Sequence, residues 1–232
     1  MKKALSYHHL GGETPLLGDT IPEHFRKVVE RFPDHEAVVS LPQRRRMSYL
    51  DLAQATDELA HGLLGLGFRQ GDRIGIWSTN NLEWIILQLA SARLGIILVN
   101  INPAYRPREL AYALECSEVQ GLFAIPGFRH SNYIGMLLEL IPELDDTQGE
   151  IKCKSLPELR RIVLYDPADP MHTMTPAAGF TAWQEVIRAG KNFSPADLDN
   201  ITAALDRDDV INIQYTSGTT GFPKAVQLTH HN

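Results

Sequence analysis

Residues 215–224 hold the side chains of this sequence that are best suited to binding a polyphosphate. The segment combines hydroxyl groups, glycines and one lysine. Its members are Thr216, Ser217, Gly218, Thr219, Thr220, Gly221, Phe222, Pro223 and Lys224. Hydroxyl groups donate hydrogen bonds to phosphate oxygens, glycines let backbone N–H groups approach closely, and a lysine offsets negative charge. The composition therefore predicts a polyphosphate cradle, with an ordinary polar turn as the alternative.

The sequence on either side places this loop between two strands. Residues 210–215 form an alternating apolar run, and residues 225–229 form a second short one. A Walker A loop requires G-x-x-x-x-G-K-[ST] and leads directly into a helix, whereas Phe222 and Pro223 separate Gly221 from the lysine here. We therefore do not expect a P-loop NTPase, in which phosphates sit at a helix N-terminus.

The loop resembles a known family signature. Residues 216–224 (TSGTTGFPK) are similar to the signature of the AMP-forming acyl-CoA synthetases, part of the adenylate-forming ligase superfamily. Three upstream segments resemble the N-terminal region of the same family, and they are residues 71–77, 80–84 and 94–103. Within the last of these, residues 102–106 look most like the medium-chain branch. The similarity runs from about Pro15 to Asn232.

The sequence departs from the family pattern directly after the lysine. The family usually has glycine there, and this chain has Ala225. A strand position with negative φ accepts alanine, whereas positive φ would cost about 1 kcal/mol or more. We expect the replacement to be tolerated.

The resemblance implies a two-step reaction. ATP would activate a fatty acid to an acyl-adenylate with release of pyrophosphate, and coenzyme A would then displace AMP. The loop residues named above would bind the β- and γ-phosphates, and Mg²⁺ would share the negative charge. These are binding roles, so we assign no catalytic residue and no metal ligand within this chain.

The resemblance also implies that large parts of the site have no counterpart here. Family members are much longer, and the regions that hold adenine, ribose, much of the acyl chain and the small C-terminal lobe would follow Asn232. The sheet would also be incomplete and would leave an exposed edge and apolar surface, so we expect this chain alone to be inactive and poorly soluble. Two alternatives stay open. One is an adenylate-forming ligase for another acid, such as an aryl acid, or a carrier-protein-loading domain. The other is a non-catalytic nucleotide-binding remnant.

Composition restricts the class of protein. A chain of 232 residues with 44% hydrophobic and 22% charged residues suits a soluble globular protein. The net charge of −6 predicts no general nucleic-acid surface. Cys116 and Cys153 lack metal-ligand spacing and do not suggest a disulfide scaffold, so the cytoplasm is the simplest compartment. No secretory signal or membrane span is expected, because no long apolar stretch occurs.

The alternation of apolar patterns predicts an α/β fold with a largely parallel sheet and flanking helices. We assign residues 1–18 to a loose arm and residues 19–232 to one domain. By resemblance this is the incomplete first part of the large N-terminal lobe of an adenylate-forming ligase, ending after the phosphate-binding loop. Other expectations are helices over residues 133–144 and 181–189, and solvated positions for residues 44–46 and 230–231.

Overall fold

The computed structural model describes residues 17–146, 150–216 and 223–232. The α-helices in this part are α1 (Ile21–Arg31), α2 (Tyr49–Gly65), α3 (Leu82–Arg93), α4 (Pro107–Cys116), α5 (Tyr133–Leu140), α6 (Trp183–Ala189) and α7 (Pro195–Ala203). The strands are β1 (Glu36–Ser40), β2 (Arg45–Ser48), β3 (Arg73–Trp77), β4 (Ile97–Ile101), β5 (Gly121–Ala124), β6 (Gly127–Phe128), β7 (Ser131–Asn132), β8 (Arg161–Leu164), β9 (Thr181–Ala182), β10 (Val210–Thr216) and β11 (Lys224–Thr229). None of the helices described is long and apolar enough to cross a bilayer.

The central sheet has the strand order β11-β10-β4-β3-β5-β8-β9. All neighbouring pairs are parallel except β10 and β11, which form an antiparallel hairpin at one edge. Right-handed crossovers place α3, α6 and α7 on one face of the sheet and α4 and α5 on the other. The helix contacts agree, since α4 packs on α5 and α2 packs on α1, α3, α6 and α7. The predicted α/β fold with a largely parallel sheet is confirmed.

Helix starts follow from local capping chemistry. The Thr20 hydroxyl accepts a hydrogen bond from the backbone N–H of Glu23, and the Glu23 carboxylate accepts one from the backbone N–H of Thr20 at 2.8 Å. Ser48 and Asp51 form the same reciprocal pair at the start of α2. Each pair satisfies donors that the first helical turn leaves without intrahelical partners.

The core lies against the central strands. Ile74, Ile76 and Trp77 of β3 are fully buried, and so are Leu98 and Val99 of β4. A parallel strand covered by helices on both faces is expected to be a nearly continuous apolar run, and residues 96–101 have that character apart from Asn100.

Two predicted helices differ from the structure at their ends. The helix expected over residues 133–144 ends at Leu140, because Pro142 has no N–H and cannot continue an α-helix; a 3-10 helix, Pro142–Asp146, follows. The helix expected over residues 181–189 begins at Trp183. Thr181 and Ala182 instead extend the sheet as β9, where they pair with Val163 and Leu164.

The expectation of solvated side chains holds for Arg44, Arg46 and His231, which are exposed, and was wrong for Arg45 and His230. Arg45, in the arginine run of residues 44–46, forms an ion pair at 3.1 Å with Glu83, whose side chain is 1% exposed. His230 is 8% exposed, and its Nδ1 accepts a hydrogen bond at 3.1 Å from the backbone N–H of Ile21. His230, from a distant part of the chain, therefore supplies an acceptor for a backbone N–H in the first turn of α1.

The stability of the chain should fall as the pH drops below about 6.5, the ordinary value for histidine. Burial lowers the pKa of His230, against weaker opposing effects of Asp209 and Glu23. The unfolded chain then binds a proton that the folded chain resists, so unfolding becomes easier. Thermal melts between pH 8 and pH 5 should give a shallower pH slope for His230→Gln than for the wild type. Exposed His130→Gln is the control, and a slope that His230→Gln leaves unchanged would contradict the assignment.

Candidate functional site

The β10–β11 hairpin carries the segment that the sequence singles out. The ladder runs from Val210 opposite Thr229 to Thr216 opposite Lys224. The predicted strand–loop–strand arrangement is therefore confirmed at both ends. The predicted site residues between them lie outside the described residues, and they are Ser217, Gly218, Thr219, Thr220, Gly221 and Phe222. The described members of the predicted site are Thr216, Pro223 and Lys224.

The hairpin opens at the carboxyl edge of the sheet. β10 runs parallel to β4, and β4 runs parallel to β3, so these strands all end on the same side. Open α/β sheets bind ligands outside the carboxyl ends of their strands. Thr216 and Lys224 are both exposed there, and Pro223 is half-buried. The sheet thus presents the two ends of the loop where a ligand can reach them.

Thr216 and Lys224 are directly opposed in the ladder, and opposed side chains lie on the same face of an antiparallel pair. A hydroxyl donor and a primary ammonium group therefore stand side by side at the mouth of the loop. This donor set suits an anion with several oxygen acceptors. The residues present fit a polyphosphate.

Ala225 lies on β11 opposite Tyr215. The described non-glycine residues with positive φ are Arg44, Glu118, Arg129 and His172, so Ala225 is not one of them. The strain that alanine would suffer at positive φ does not arise, and the replacement of the family's usual glycine fits the strand.

Helix α4 contacts the hairpin at both ends of the loop, which the sequence did not indicate. The Tyr215 hydroxyl donates to the Ala113 carbonyl oxygen at 3.0 Å and lies 2.7 Å from the Ser117 hydroxyl. The Tyr112 hydroxyl donates to the Pro223 carbonyl oxygen at 3.4 Å. Burial raises the pKa of Tyr215 well above its usual value, so the phenol stays protonated and keeps its donor. The sequence gave no indication of these contacts, because Tyr112 and the hairpin lie about a hundred residues apart in the chain.

The turn that follows β4 lies at the same edge and is held firmly. The Trp77 indole N–H donates to the Asn102 carbonyl oxygen at 3.2 Å, and the Tyr133 hydroxyl donates to the Pro103 carbonyl oxygen. The rings of Trp77 and Tyr133 stack with their planes 3° apart. The first turn residues beyond the strand are thus fixed beside the hairpin.

The described residues offer no group of three or more His, Cys, Asp or Glu side chains that could hold a metal ion. Mg²⁺ usually keeps few protein ligands and is bound together with substrate phosphates.

The sequence profile of the AMP-binding enzymes matches residues 25–232. This chain belongs to the AMP-binding enzyme family. Among curated relatives, the mitochondrial medium-chain acyl-CoA ligase ACSF2 of Danio rerio is 36% identical over 228 residues, which cover 98% of this chain. The human protein of the same name is 35% identical over 230 residues. In both cases the match covers 36% of the relative, so the chain spans about a third of the length of these proteins.

Solved structures of two proteins share the fold of this chain. The anthranilate CoA ligase AuaEII, determined in complex with anthranoyl-AMP, has a TM-score of 0.70 and 22% identity, covering 94% of this chain and 36% of that one. Apo MbtA of Mycobacterium smegmatis has a TM-score of 0.70 and 25% identity, covering 93% of this chain and 34% of that one. This chain therefore has the fold of an N-terminal part of an adenylate-forming ligase.

Proposed function

We propose that this chain carries the polyphosphate-binding part of an AMP-forming acyl-CoA ligase, with residues 19–232 as the first part of its adenylation domain. The observation that supports this most directly is the opposed pair of Thr216 and Lys224 at the carboxyl edge of the sheet. They close a loop rich in hydroxyl groups and glycines. The identity to medium-chain acyl-CoA ligases over nearly the whole chain supports the same assignment.

The reaction uses ATP to make a carboxylate reactive. A carboxylate oxygen attacks the α-phosphorus of ATP, the bond to the bridging oxygen breaks, and pyrophosphate leaves. The thiol of coenzyme A then attacks the acyl carbon of the acyl-adenylate, forms the thioester and releases AMP. The acid is a medium-chain fatty acid in this proposal, by analogy with the named relatives.

The chain's own residues contribute binding and charge compensation. Lys224 and Thr216, together with the loop from Ser217 to Phe222, hold the β- and γ-phosphates and offset the charge that grows on the departing pyrophosphate. Mg²⁺, when bound, neutralises part of the same charge. If these donors interact more strongly with the charge on the departing pyrophosphate than with the phosphates of bound ATP, they lower the barrier to adenylation.

The acid class separates the main proposal from its alternatives. An aryl-acid ligase or a carrier-protein-loading domain would use the same phosphate loop with a different acid. Pyrophosphate exchange into ATP, measured with decanoate, benzoate and amino acids, distinguishes them in a protein that contains the whole domain. We expect the 232-residue chain alone to give no exchange with any acid, because it spans about a third of the length of the relatives. A non-catalytic binding remnant would also give no exchange.

Replacing Lys224 by alanine should raise the dissociation constant for ATP and for inorganic tripolyphosphate about tenfold. The substitution removes one full positive charge next to the phosphates, and a tenfold change corresponds to about 1.4 kcal/mol. Titration calorimetry with Mg²⁺ present measures both ligands. Lys191→Ala removes another exposed lysine elsewhere and should leave both affinities unchanged. Unaltered binding in a folded Lys224→Ala chain would refute the assignment of the loop.

We also propose a reducing compartment. Cys116 is exposed and Cys153 is buried, and both are free thiols. The cytoplasm is the sequence-based prediction, whereas the ACSF2 relatives carry the word mitochondrial in their names. Subcellular fractionation of the tagged protein distinguishes the two locations.

A further inference from the structure

We propose that Tyr215 and Tyr112 are positioning residues through which helix α4 fixes both ends of the phosphate-binding hairpin. Their hydroxyl groups hold the backbone next to Thr216 and next to Lys224, the two described residues that would contact the phosphates. This inference rests on the proposed function, because it assigns a role in phosphate binding to residues that touch no phosphate themselves.

Tyr215 holds the first end. Its hydroxyl donates to the Ala113 carbonyl oxygen at 3.0 Å, so its oxygen is left to accept from the Ser117 hydroxyl at 2.7 Å. Ser117 is 4% exposed, and Ala113 is fully buried. Tyr215 directly precedes Thr216, so these two bonds join the end of β10 to the last turn of α4.

Tyr112 holds the second end. Its hydroxyl donates to the Pro223 carbonyl oxygen at 3.4 Å, a longer and weaker bond than those of Tyr215. The peptide carbonyl of Pro223 is bonded directly to the nitrogen of Lys224, so this contact acts on the lysine backbone. The φ of Pro223 is fixed by its ring, which limits how far the chain can turn on the loop side of the contact.

The two contacts come from one rigid support. Tyr112 and Ala113 are adjacent in α4, and Ser117 caps the helix, so the C-terminal end of one helix reaches both sides of the hairpin. That end is itself fixed, because Leu110 and Leu114 of α4 are buried in the core. A binding group held by a packed element loses less freedom when the ligand arrives, which strengthens binding.

The test compares variants that lose a hydroxyl group in contact with the hairpin with a variant that loses a hydroxyl group elsewhere. Tyr215→Phe should raise the dissociation constant for tripolyphosphate and ATP about three- to tenfold, the range expected for the loss of one or two hydrogen bonds. Ser117→Ala and Tyr112→Phe should each give about a twofold to threefold increase. Tyr165→Phe removes a buried tyrosine hydroxyl that contacts Asn81, far from the hairpin, and should leave both constants unchanged.

Hydrogen exchange provides a measurement that does not depend on the ligand. In Tyr215→Phe and Tyr112→Phe, the amides of residues 216 and 224 should exchange several times faster than in the wild type, whereas in Tyr165→Phe they should not. Tyrosine variants that lower the melting temperature but leave both the affinities and these two amides unchanged would have a structural role only, and that result would overturn the inference.

The two proposals can fail separately. If Lys224→Ala weakens binding and the tyrosine variants do not, the loop binds phosphate and the positioning role is wrong. If Lys224→Ala has no effect, or the wild-type chain binds no tripolyphosphate, the proposed function of the loop is wrong. In that case faster exchange at residues 216 and 224 still supports the mechanical part of the inference, and unchanged exchange refutes it.

Discussion

Replacing Glu83 by alanine should lower the free energy of unfolding by about 3 kcal/mol, because it leaves a charged network at the antiparallel β1–β2 hairpin without its acceptor. The Glu83 side chain is 1% exposed. Its Oε1 lies 3.1 Å from Arg45 Nη1 and 3.5 Å from His172 Nε2, and its Oε2 accepts a hydrogen bond from Gln43 Nε2 at 2.8 Å. Three segments distant in sequence therefore meet at one carboxylate.

The size of the effect follows from what remains after the substitution. Removing one partner of a buried pair usually costs about 3–5 kcal/mol, since the other charge stays buried without compensation. The Arg45 side chain is 29% exposed, so water can solvate part of it, and the lower end of that range applies. Gln43 also loses an acceptor, although it still donates to the Pro167 carbonyl oxygen at 3.1 Å.

Chemical denaturation of the chain measures this effect, and the same hairpin offers a matched control. Glu36 and Arg46 form an ion pair whose side chains are 49% and 67% exposed. Glu36→Ala should therefore change stability by about 0.5 kcal/mol or less. In a double-mutant cycle, Arg45→Ala should cost clearly less when Glu83 is already alanine. Equal costs for Glu83→Ala and Glu36→Ala would show that burial does not decide the strength of these pairs.

The elements that the sequence predicted well are those whose signals are local. The reciprocal pair of Thr20 and Glu23 marks a helix start within four positions of the chain, and the apolar runs over residues 96–101 and 210–215 mark strands by themselves. The hairpin around residues 215–224 follows from the same kind of pattern. Its position at the carboxyl edge then follows from the pairing of β10 with β4.

The contacts that the sequence did not predict join residues far apart in the chain. Tyr215 reaches α4 across about a hundred residues, and His230 reaches the start of α1 across about two hundred, so no local pattern could report either contact. The sequence does mark Glu83 as unusual, because it is a carboxylate in a helix that is apolar on most faces. The identity of its partners, Arg45 and His172, required the fold.

Gly65→Ala should lower the free energy of unfolding by about 3 kcal/mol, since helices α2 and α6 approach too closely for another carbon atom. A Cβ at Gly65 would overlap the carbonyl group of Ala189. One at Gly62, a turn earlier, would lie 2.5 Å from the Val186 carbonyl oxygen. In both places the obstacle is backbone, which cannot rotate away as a side chain could. Overpacking a core costs about 1–3 kcal/mol, and an unyielding backbone obstacle puts Gly65 at the top of that range.

Helix propensity argues in the opposite direction, which makes the sign of the result decisive. Alanine is favoured over glycine by about 1 kcal/mol in a helix interior and by less at a helix end, where Gly65 is the last residue of α2, so Gly65→Ala would slightly stabilise an α2 that had free space beside Gly65. Gly67, just beyond the helix, supplies the control. Its φ is +89° and a Cβ added there would meet no other atom within 4 Å, so Gly67→Ala should cost about 1 kcal/mol from backbone strain alone. Urea unfolding of both variants measures the difference. A Gly65→Ala chain as stable as the wild type would mean that α2 and α6 separate easily, and the helix layer on this face of the sheet would then be held by its contacts with the strands.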